Sequence, residues 1–141
     1  MAARSVVVDA GPIIAWLVAD DARHAWTNEQ LSRLRPPLLT CEAALAEAAF
    51  IVKRLGGSPS TVPALVDKGV LRVAFSMQEH AAQLAALMRR YAEVPMSLGD
   101  ACLVRMIELL DDAVLMTFDS DFRIYRKHNR RLIPLLAPES V

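Results

Sequence analysis

Cysteine and glycine are scarce in this sequence of 141 residues, and long apolar runs are missing. The two cysteines, Cys41 and Cys102, lie far apart and outside any CxxC or Cys/His spacing, which argues against a zinc site and fits a reducing cytosol. Hydrophobic residues make up 54% of the chain. Even so, no stretch reaches the roughly 18 apolar residues of a membrane span. The first residues do not resemble a secretory signal, so we expect a cytoplasmic protein with no membrane partner.

The formal net charge is zero, because 16 Asp and Glu residues balance 16 Lys and Arg residues. A nucleic-acid partner would therefore have to be held by a local basic patch. Gly56 and Gly57 lack the spacing of a P-loop or a Rossmann fingerprint, which leaves nucleotide binding without support. The length is that of one domain, and we predict that residues 1–141 form it.

Short β-branched runs alternate with longer segments of helical periodicity. The runs are SVVVD, PLLT, VLRVAF, AVLMTF and RLIPLL. Helices are predicted at about 11–19, 22–34, 42–55, 60–68, 77–92 and 97–111. Strands separated by helices are typical of a parallel sheet that is covered on both faces. We therefore predict an α/β fold of three layers, α/β/α, in which helices flank a mostly parallel central sheet of order 3-2-1-4-5.

Acidic residues stand where two of the predicted strands end. Asp9 follows the first strand in VVVDAGP, and Asp119 follows the fourth strand in VLMTFDSD. Ligands of such sheets bind outside the carboxyl ends of the strands, where the strand order reverses. If strands one and four are neighbours, the two carboxylates face one crevice.

Two further acids are candidates for the same crevice. Glu47 has apolar helical neighbours one turn away on either side, so we expect its carboxylate in the middle of an apolar face. Glu42 lies in the first turn of the same helix, where an acid suits the macrodipole, and we interpret it as a cap. Asp100 has two open interpretations, as a site residue or as the acid of a capping box that begins at Ser97.

Four of these motifs together resemble the PIN domain family in the order and rough spacing of its acids. They are VVVDAGPIIAWL with Asp9, TCEAALAEAAF with Glu47, MSLGDACLV with Asp100 and LMTFDSDF with Asp119. Within that family the chain looks like the VapC-type toxins of bacterial toxin–antitoxin pairs, from Val6 to about Leu136. The resemblance implies a magnesium- or manganese-dependent endoribonuclease that an antitoxin inhibits.

The resemblance also assigns the residues of the site. It implies that the four acids surround the metal, that Asp121 occupies a less constant position, and that Thr117 supports the site through its hydroxyl. A set of carboxylates without histidine or cysteine favours a hard ion such as Mg²⁺ or Mn²⁺ over zinc. Because the sequence shows no dedicated general base, we expect water activated by the metal to be the nucleophile.

A basic segment, RIYRKHNRR, follows the last of these acids. Its cations could hold the RNA backbone, although a solvated basic turn is the open alternative; they are Arg123, Arg126, Lys127, Arg130 and Arg131. The apolar composition leads us to expect a homodimer that assembles with the antitoxin. Two other functions stay open, namely a PIN nuclease of RNA processing and a catalytically inactive PIN binding module.

Overall fold

The computed structural model describes residues 4–141, which contain six α-helices and seven β-strands. The helices are α1 (Ala10–Leu17), α2 (His24–Ser32), α3 (Glu42–Arg54), α4 (Thr61–Asp67), α5 (Ala81–Arg90) and α6 (Leu98–Leu109). The strands are β1 (Ser5–Val8), β2 (Leu38–Thr40), β3 (Leu71–Val73), β4 (Ala113–Met116), β5 (Arg126–Lys127), β6 (Arg131–Leu132) and β7 (Leu135–Leu136). Two 3₁₀ helices, Gln78–His80 and Ser120–Arg123, complete the set. The predicted helix at 77–92 is therefore a 3₁₀ turn followed by α5.

Five of the strands form a parallel sheet in the order β3-β2-β1-β4-β7, which confirms the predicted order. Strand β1 is central and pairs with β2 on one side and with β4 on the other. The strand order reverses between β1 and β4, so that the carboxyl ends of these two strands border one crevice. This arrangement fixes the location of the candidate site.

Apolar side chains form one core cluster on each face of the sheet. Val7 and Leu115 belong to the cluster beneath α5 and α6, whereas Val8 and Met116 belong to the cluster beneath α1 and α3. Successive side chains of a strand point to opposite faces, so apolar runs such as SVVV fill both clusters. The predicted three layers are confirmed.

The predicted fifth strand, RLIPLL, is divided into two. Its first half, β6, pairs antiparallel with β5 in a hairpin, and its second half, β7, joins the sheet beside β4. Pro134 stands between the halves, and its nitrogen has no hydrogen to donate to a ladder. Its carbonyl accepts a hydrogen bond from the backbone nitrogen of Leu115 at 2.9 Å, which starts the pairing with β4.

The helices have no membrane-spanning candidate among them. Within residues 4–141, no helix combines the length and the apolar character that a bilayer crossing requires.

Candidate functional site

A polar cleft of about 460 Å³ opens beside the ends of β1 and β4. All four predicted acids line it, and the complete lining is Asp9, Ala10, Gly11, Glu47, Ser97, Asp100, Phe118 and Asp119. The acids come from four separate parts of the fold: the end of β1, the middle of α3, the first turn of α6 and the chain after β4. The structure thus brings together the residues that the sequence analysis assigned to one crevice.

Asp9 is the most buried of the four acids, with 9% of its surface exposed. It is the N-cap of α1, and its Oδ1 accepts a hydrogen bond from the backbone nitrogen of Ala10 at 2.7 Å. Its Oδ2 accepts a bond from the hydroxyl of Thr117 at 2.8 Å. Burial raises the pKa of Asp9 to about 6, although these two hydrogen bonds act to lower it. The negative charges of Asp100 and Glu47 raise the pKa of Asp9 further.

Thr117 joins the two carboxylates that follow β1 and β4. Its buried hydroxyl donates to Asp9, as described above, and accepts a hydrogen bond from the backbone nitrogen of Asp119 at 3.0 Å. One side chain therefore sets the position of both strand ends. This contact is consistent with the supporting role that the family resemblance implied for Thr117, which stays a prediction.

Asp119 is the N-cap of the 3₁₀ helix that follows β4. Its Oδ1 accepts a hydrogen bond from the backbone nitrogen of Asp121 at 2.9 Å. Among the described residues, its Oδ2 accepts no hydrogen bond, so this oxygen is available to a ligand. The carboxylate of Asp121 is outside the lining of the cleft.

Asp100 belongs to the capping box that the sequence indicated, and it also lines the cleft. Its Oδ2 accepts from the backbone nitrogen of Ser97 at 3.1 Å, and the Oγ of Ser97 accepts from the backbone nitrogen of Asp100 at 3.0 Å, which completes a capping box. The same residue lines the cleft. Burial raises the pKa of Asp100, against the lowering effect of its hydrogen bonds with Ser97.

Glu47 lines the cleft, but the prediction that it lies in the middle of a buried apolar face is wrong. The face of α3 that packs on the core consists of Ala44, Ala48 and Val52. Glu47 is exposed, and Phe50, one turn further along α3, is 60% exposed. Partial burial raises the pKa of Glu47, followed by repulsion from Asp100 and Asp119. Glu42 does not line this cleft; it lies in the first turn of α3, and within residues 4–141 its side chain accepts no capping hydrogen bond.

The sequence analysis missed the aromatic wall of the cleft, which is Phe118. The ring of Trp26 packs edge-on against it at 5.6 Å between centroids, and the guanidinium of Arg23 lies 4.8 Å from its centroid. A Cβ atom at Gly11 would lie only 3.1 Å from Cδ2 of Phe118, so glycine allows the ring its close approach. The glycine two residues after Asp9 was the available sequence signal.

Tyr125 is a second residue whose place the sequence did not reveal. It is fully buried, and its ring packs edge-on against Tyr91 and Phe122. Its hydroxyl donates a long hydrogen bond of 3.5 Å to Oδ2 of Asp100. Burial and the nearby acids raise the pKa of Tyr125, so that it stays a protonated donor.

The predicted RNA-binding cations do not line the acidic cleft. Arg123 donates from Nε to the backbone oxygen of Val141 at 3.1 Å. Nη1 of Arg126 donates to three backbone carbonyls, those of Arg123, Ile124 and Tyr125, which commits this side chain to the local turn. The side chains of Lys127 and Arg130 form no hydrogen bond or ion pair within residues 4–141, and they remain candidates for phosphate contacts.

The donor chemistry of the cleft fits a hydrated hard cation. Its acidic ligands are carboxylates, and neither histidine nor cysteine lines it. Within residues 4–141, no three His, Cys, Asp or Glu side chains stand close enough together to enclose an ion. Magnesium commonly keeps several of its waters and takes one or two protein carboxylates, so an open set of acids suits it better than it suits zinc.

Replacement of Thr117 by valine tests the bridge between the two strand ends. Thr117→Val keeps the shape of the side chain and removes the hydroxyl, so the pKa of Asp9 should rise above 6, and the free energy of unfolding should fall by about 1–3 kcal/mol. Thr117→Ser retains the hydroxyl and should keep the pKa of Asp9 close to the wild-type value. An NMR titration of the Asp9 carboxyl gives its pKa in each variant. Equal pKa values in the two variants would contradict the bridge.

Replacement of Asp9 by asparagine tests the cost of the buried charge. Because the folded pKa, about 6, lies above the ordinary value of 3.8, the folded state holds the proton more firmly. The stability that Asp9 contributes is therefore present below pH 4 and lost as the pH rises through 6, a change of about 3 kcal/mol. Metal-free Asp9→Asn should melt at a higher temperature than wild type at pH 7, and the difference should close near pH 4. A difference that is constant with pH would refute this assignment.

Comparison with known proteins places the fold and the family. The crystal structure of VapC20 from Mycobacterium tuberculosis, a toxin that cleaves the sarcin–ricin loop, matches with a TM-score of 0.76 and 24% identity, over 83% of this chain and 92% of VapC20. No curated protein matches the chain. The sequence pattern of the PIN domain matches residues 6–127. Since this match spans most of the sequence, the chain belongs to the PIN domain family.

Proposed function

We propose that the protein is a metal-dependent endoribonuclease, and that it is the toxin of a VapC-type toxin–antitoxin pair in the cytoplasm. The observation that carries this proposal is the convergence of four carboxylates on one cleft of a PIN domain. Gathering like charges destabilises a folded protein, so the arrangement calls for a cation and for an anionic substrate that the cation can hold. The RNA-cleaving activity of VapC20, which has the same fold, agrees with this function.

Mg²⁺ or Mn²⁺ is the proposed cofactor, with Asp9, Glu47, Asp100 and Asp119 as the residues that hold it. When bound, such an ion lowers the pKa of water and neutralises charge on a phosphodiester. The protein's own contribution is orientation. Asp9 and Asp119 are fixed by backbone amides and by Thr117, and Asp100 is fixed by Ser97 and Tyr125. Phe118 adds an aromatic surface beside the carboxylates, on which an unstacked base can pack.

The first test of this function is metal-dependent cleavage. Purified protein should cut RNA in Mg²⁺ or Mn²⁺, stop in EDTA, and recover when the metal is restored, because the carboxylates alone cannot neutralise the phosphodiester. Zinc should give no specific gain. Product formation is followed on a denaturing gel with labelled RNA. Full-rate cleavage in chelator with metal-free reagents would show that the mechanism is wrong.

A matched pair of glutamates on α3 tests the assignment of the site. Glu47→Gln keeps the shape and removes a charge from the cleft, so cleavage should be abolished while the fold is retained. Glu42→Gln removes the same charge from the first turn of the same helix and should leave most of the activity. Cleavage rates and circular dichroism of both variants are compared. Equal losses of activity would contradict the assignment of Glu47 to the site and of Glu42 to a cap.

The proposed partners are a second copy of the chain and an antitoxin. Large apolar side chains are exposed on several elements; among the most exposed are Phe50, Leu55, Met77 and Leu132. Burial of such surface is the usual driving force of association. An inactive PIN module would not need the complete set of four acids. A nuclease of RNA processing would need the acids but no antitoxin. The presence of an antitoxin partner therefore distinguishes a toxin from a processing enzyme.

Assembly can be measured directly. Sedimentation equilibrium should give twice the 15.5 kDa of one chain. Co-expression with the product of a small neighbouring gene should yield a complex in which cleavage is inhibited. A chain that stays monomeric and cuts RNA beside every neighbouring gene product would favour the processing nuclease instead.

A further inference from the structure

A second polar cleft lies between α5, α6 and the turn of the β5–β6 hairpin. Its volume, about 430 Å³, is close to that of the acidic cleft. Its polar lining consists of Gln83, Arg90, Arg105, Glu108, His128 and Asn129. The acidic cleft gathers carboxylates, whereas this one gathers guanidinium, amide and imidazole groups around a single acid.

The single acid of this cleft, Glu108, is already paired. Its Oε1 accepts from Nη1 of Arg105 at 3.2 Å, and its Oε2 accepts from the backbone nitrogen of His128 at 2.6 Å. The Glu108 side chain is 8% exposed, and that of Arg105 is 20% exposed. Both carboxylate oxygens are thus used, and the charge of Glu108 is balanced within the protein.

Donors remain available in the same cleft. Arg90 is exposed, and its Nη2 donates to the backbone oxygen of Asn129 at 3.1 Å. Within residues 4–141, Nε and Nη1 of Arg90 and the side-chain amide of Gln83 form no hydrogen bond. A cleft with unused donors and no unused carboxylate is suited to a ligand that carries negative charge.

The hairpin turn on one side of the cleft is anchored to α5 and α6. His128 and Asn129 have φ angles of 52° and 63°, in the left-handed region, and neither is glycine. Positive φ at both central residues is what a type I′ hairpin turn requires, and the backbone nitrogen of Arg130 donates to the backbone oxygen of Lys127 across the turn. The bonds from His128 to Glu108 and from Arg90 to Asn129 hold the turn in place. The cleft therefore has a fixed wall on this side.

Two aromatic rings connect this cleft to the acidic one. The guanidinium of Arg90 lies 5.8 Å from the centroid of Tyr91, and Tyr91 packs against Tyr125 at 5.0 Å. The hydroxyl of Tyr125 then contacts Asp100 at 3.5 Å. The two clefts are therefore linked through the protein by two packed rings, one of which, Tyr125, is fully buried.

We propose that this second cleft binds a backbone phosphate of the RNA, a few nucleotides away from the bond that is cleaved. The inference rests on the proposed nuclease function and adds a place where the substrate is held. A planar guanidinium matches the oxygens of a phosphate group, and such contacts fix the register of the nucleic acid rather than its sequence. Arg90 is the principal contact, with Gln83 beside it.

Salt-dependent RNA binding without cleavage tests this inference. Binding of labelled single-stranded RNA is measured in EDTA by fluorescence anisotropy at increasing KCl concentration. Arg90→Gln should weaken binding about tenfold at low salt. It should also make the slope of log K against log salt shallower by about 0.7, which corresponds to one lost phosphate contact on a single strand.

Two further variants complete the design. Gln83→Glu introduces a negative charge into the cleft without removing an observed hydrogen bond, and it should weaken RNA binding by repulsion. Arg33→Gln is the matched control, because Arg33 is an exposed arginine that pairs with Glu29 on α2, outside both clefts. It removes the same charge as Arg90→Gln and should leave both the affinity and the slope unchanged.

The outcomes are separable. Equal affinities and slopes for all four proteins would overturn the phosphate site. Weaker binding of polyglutamate, but not of RNA, by Arg90→Gln would overturn it as well and would assign the cleft to an acidic protein partner. Wild-type cleavage in Mg²⁺ is scored separately: its absence would remove the nuclease function, while the EDTA measurements would still decide whether the cleft binds RNA.

Discussion

The hydrogen bond from the hydroxyl of Thr117 to Asp9 holds the candidate site together. This bond joins the end of β1 to the end of β4 across the point where the strand order reverses. The same hydroxyl accepts a hydrogen bond from the backbone nitrogen of Asp119. The geometry of the site therefore depends on the two central strands of the sheet. Asp100 and Glu47 complete it from the helices on either side.

Gathering these acids in one cleft lowers the stability of the metal-free protein through electrostatic repulsion and burial. Burial and mutual repulsion raise the pKa values of Asp9, Glu47 and Asp100, so these carboxyl groups hold their protons more firmly than free ones do. The two apolar clusters on either side of the sheet supply the stability that offsets this cost. Unfavourable electrostatics at one edge of a sheet whose core is well packed is typical of a functional site.

The architecture was predictable from the sequence because strand runs such as SVVV and AVLM are apolar on both faces, as buried parallel strands are. The position of Glu47 was not, because α3 has small alanines on nearly every side, and periodicity could not tell its core face, Ala44, Ala48 and Val52, from its exposed face. Pro134 was a local signal for the division of RLIPLL, but the pairing of β6 with β5 was not predictable, because no local pattern identifies that partner. The contact of Tyr125 with Asp100 joins residues that are distant in sequence, so the buried tyrosine could be expected in the core but not beside the acids.

Three of the four acids are held by amides at the beginning of a helical segment. Asp9 caps α1, Asp100 belongs to the capping box of α6, and Asp119 caps the 3₁₀ helix after β4. In each case the cap occupies one carboxylate oxygen, so capping and ligand binding are not competing roles. The amides fix the side chain, and the partial positive charge of a helix N-terminus makes a carboxylate there less costly. Glu47, in the middle of α3, has no such support, and its exposure to water is the physical reason that a charge is tolerated at that position.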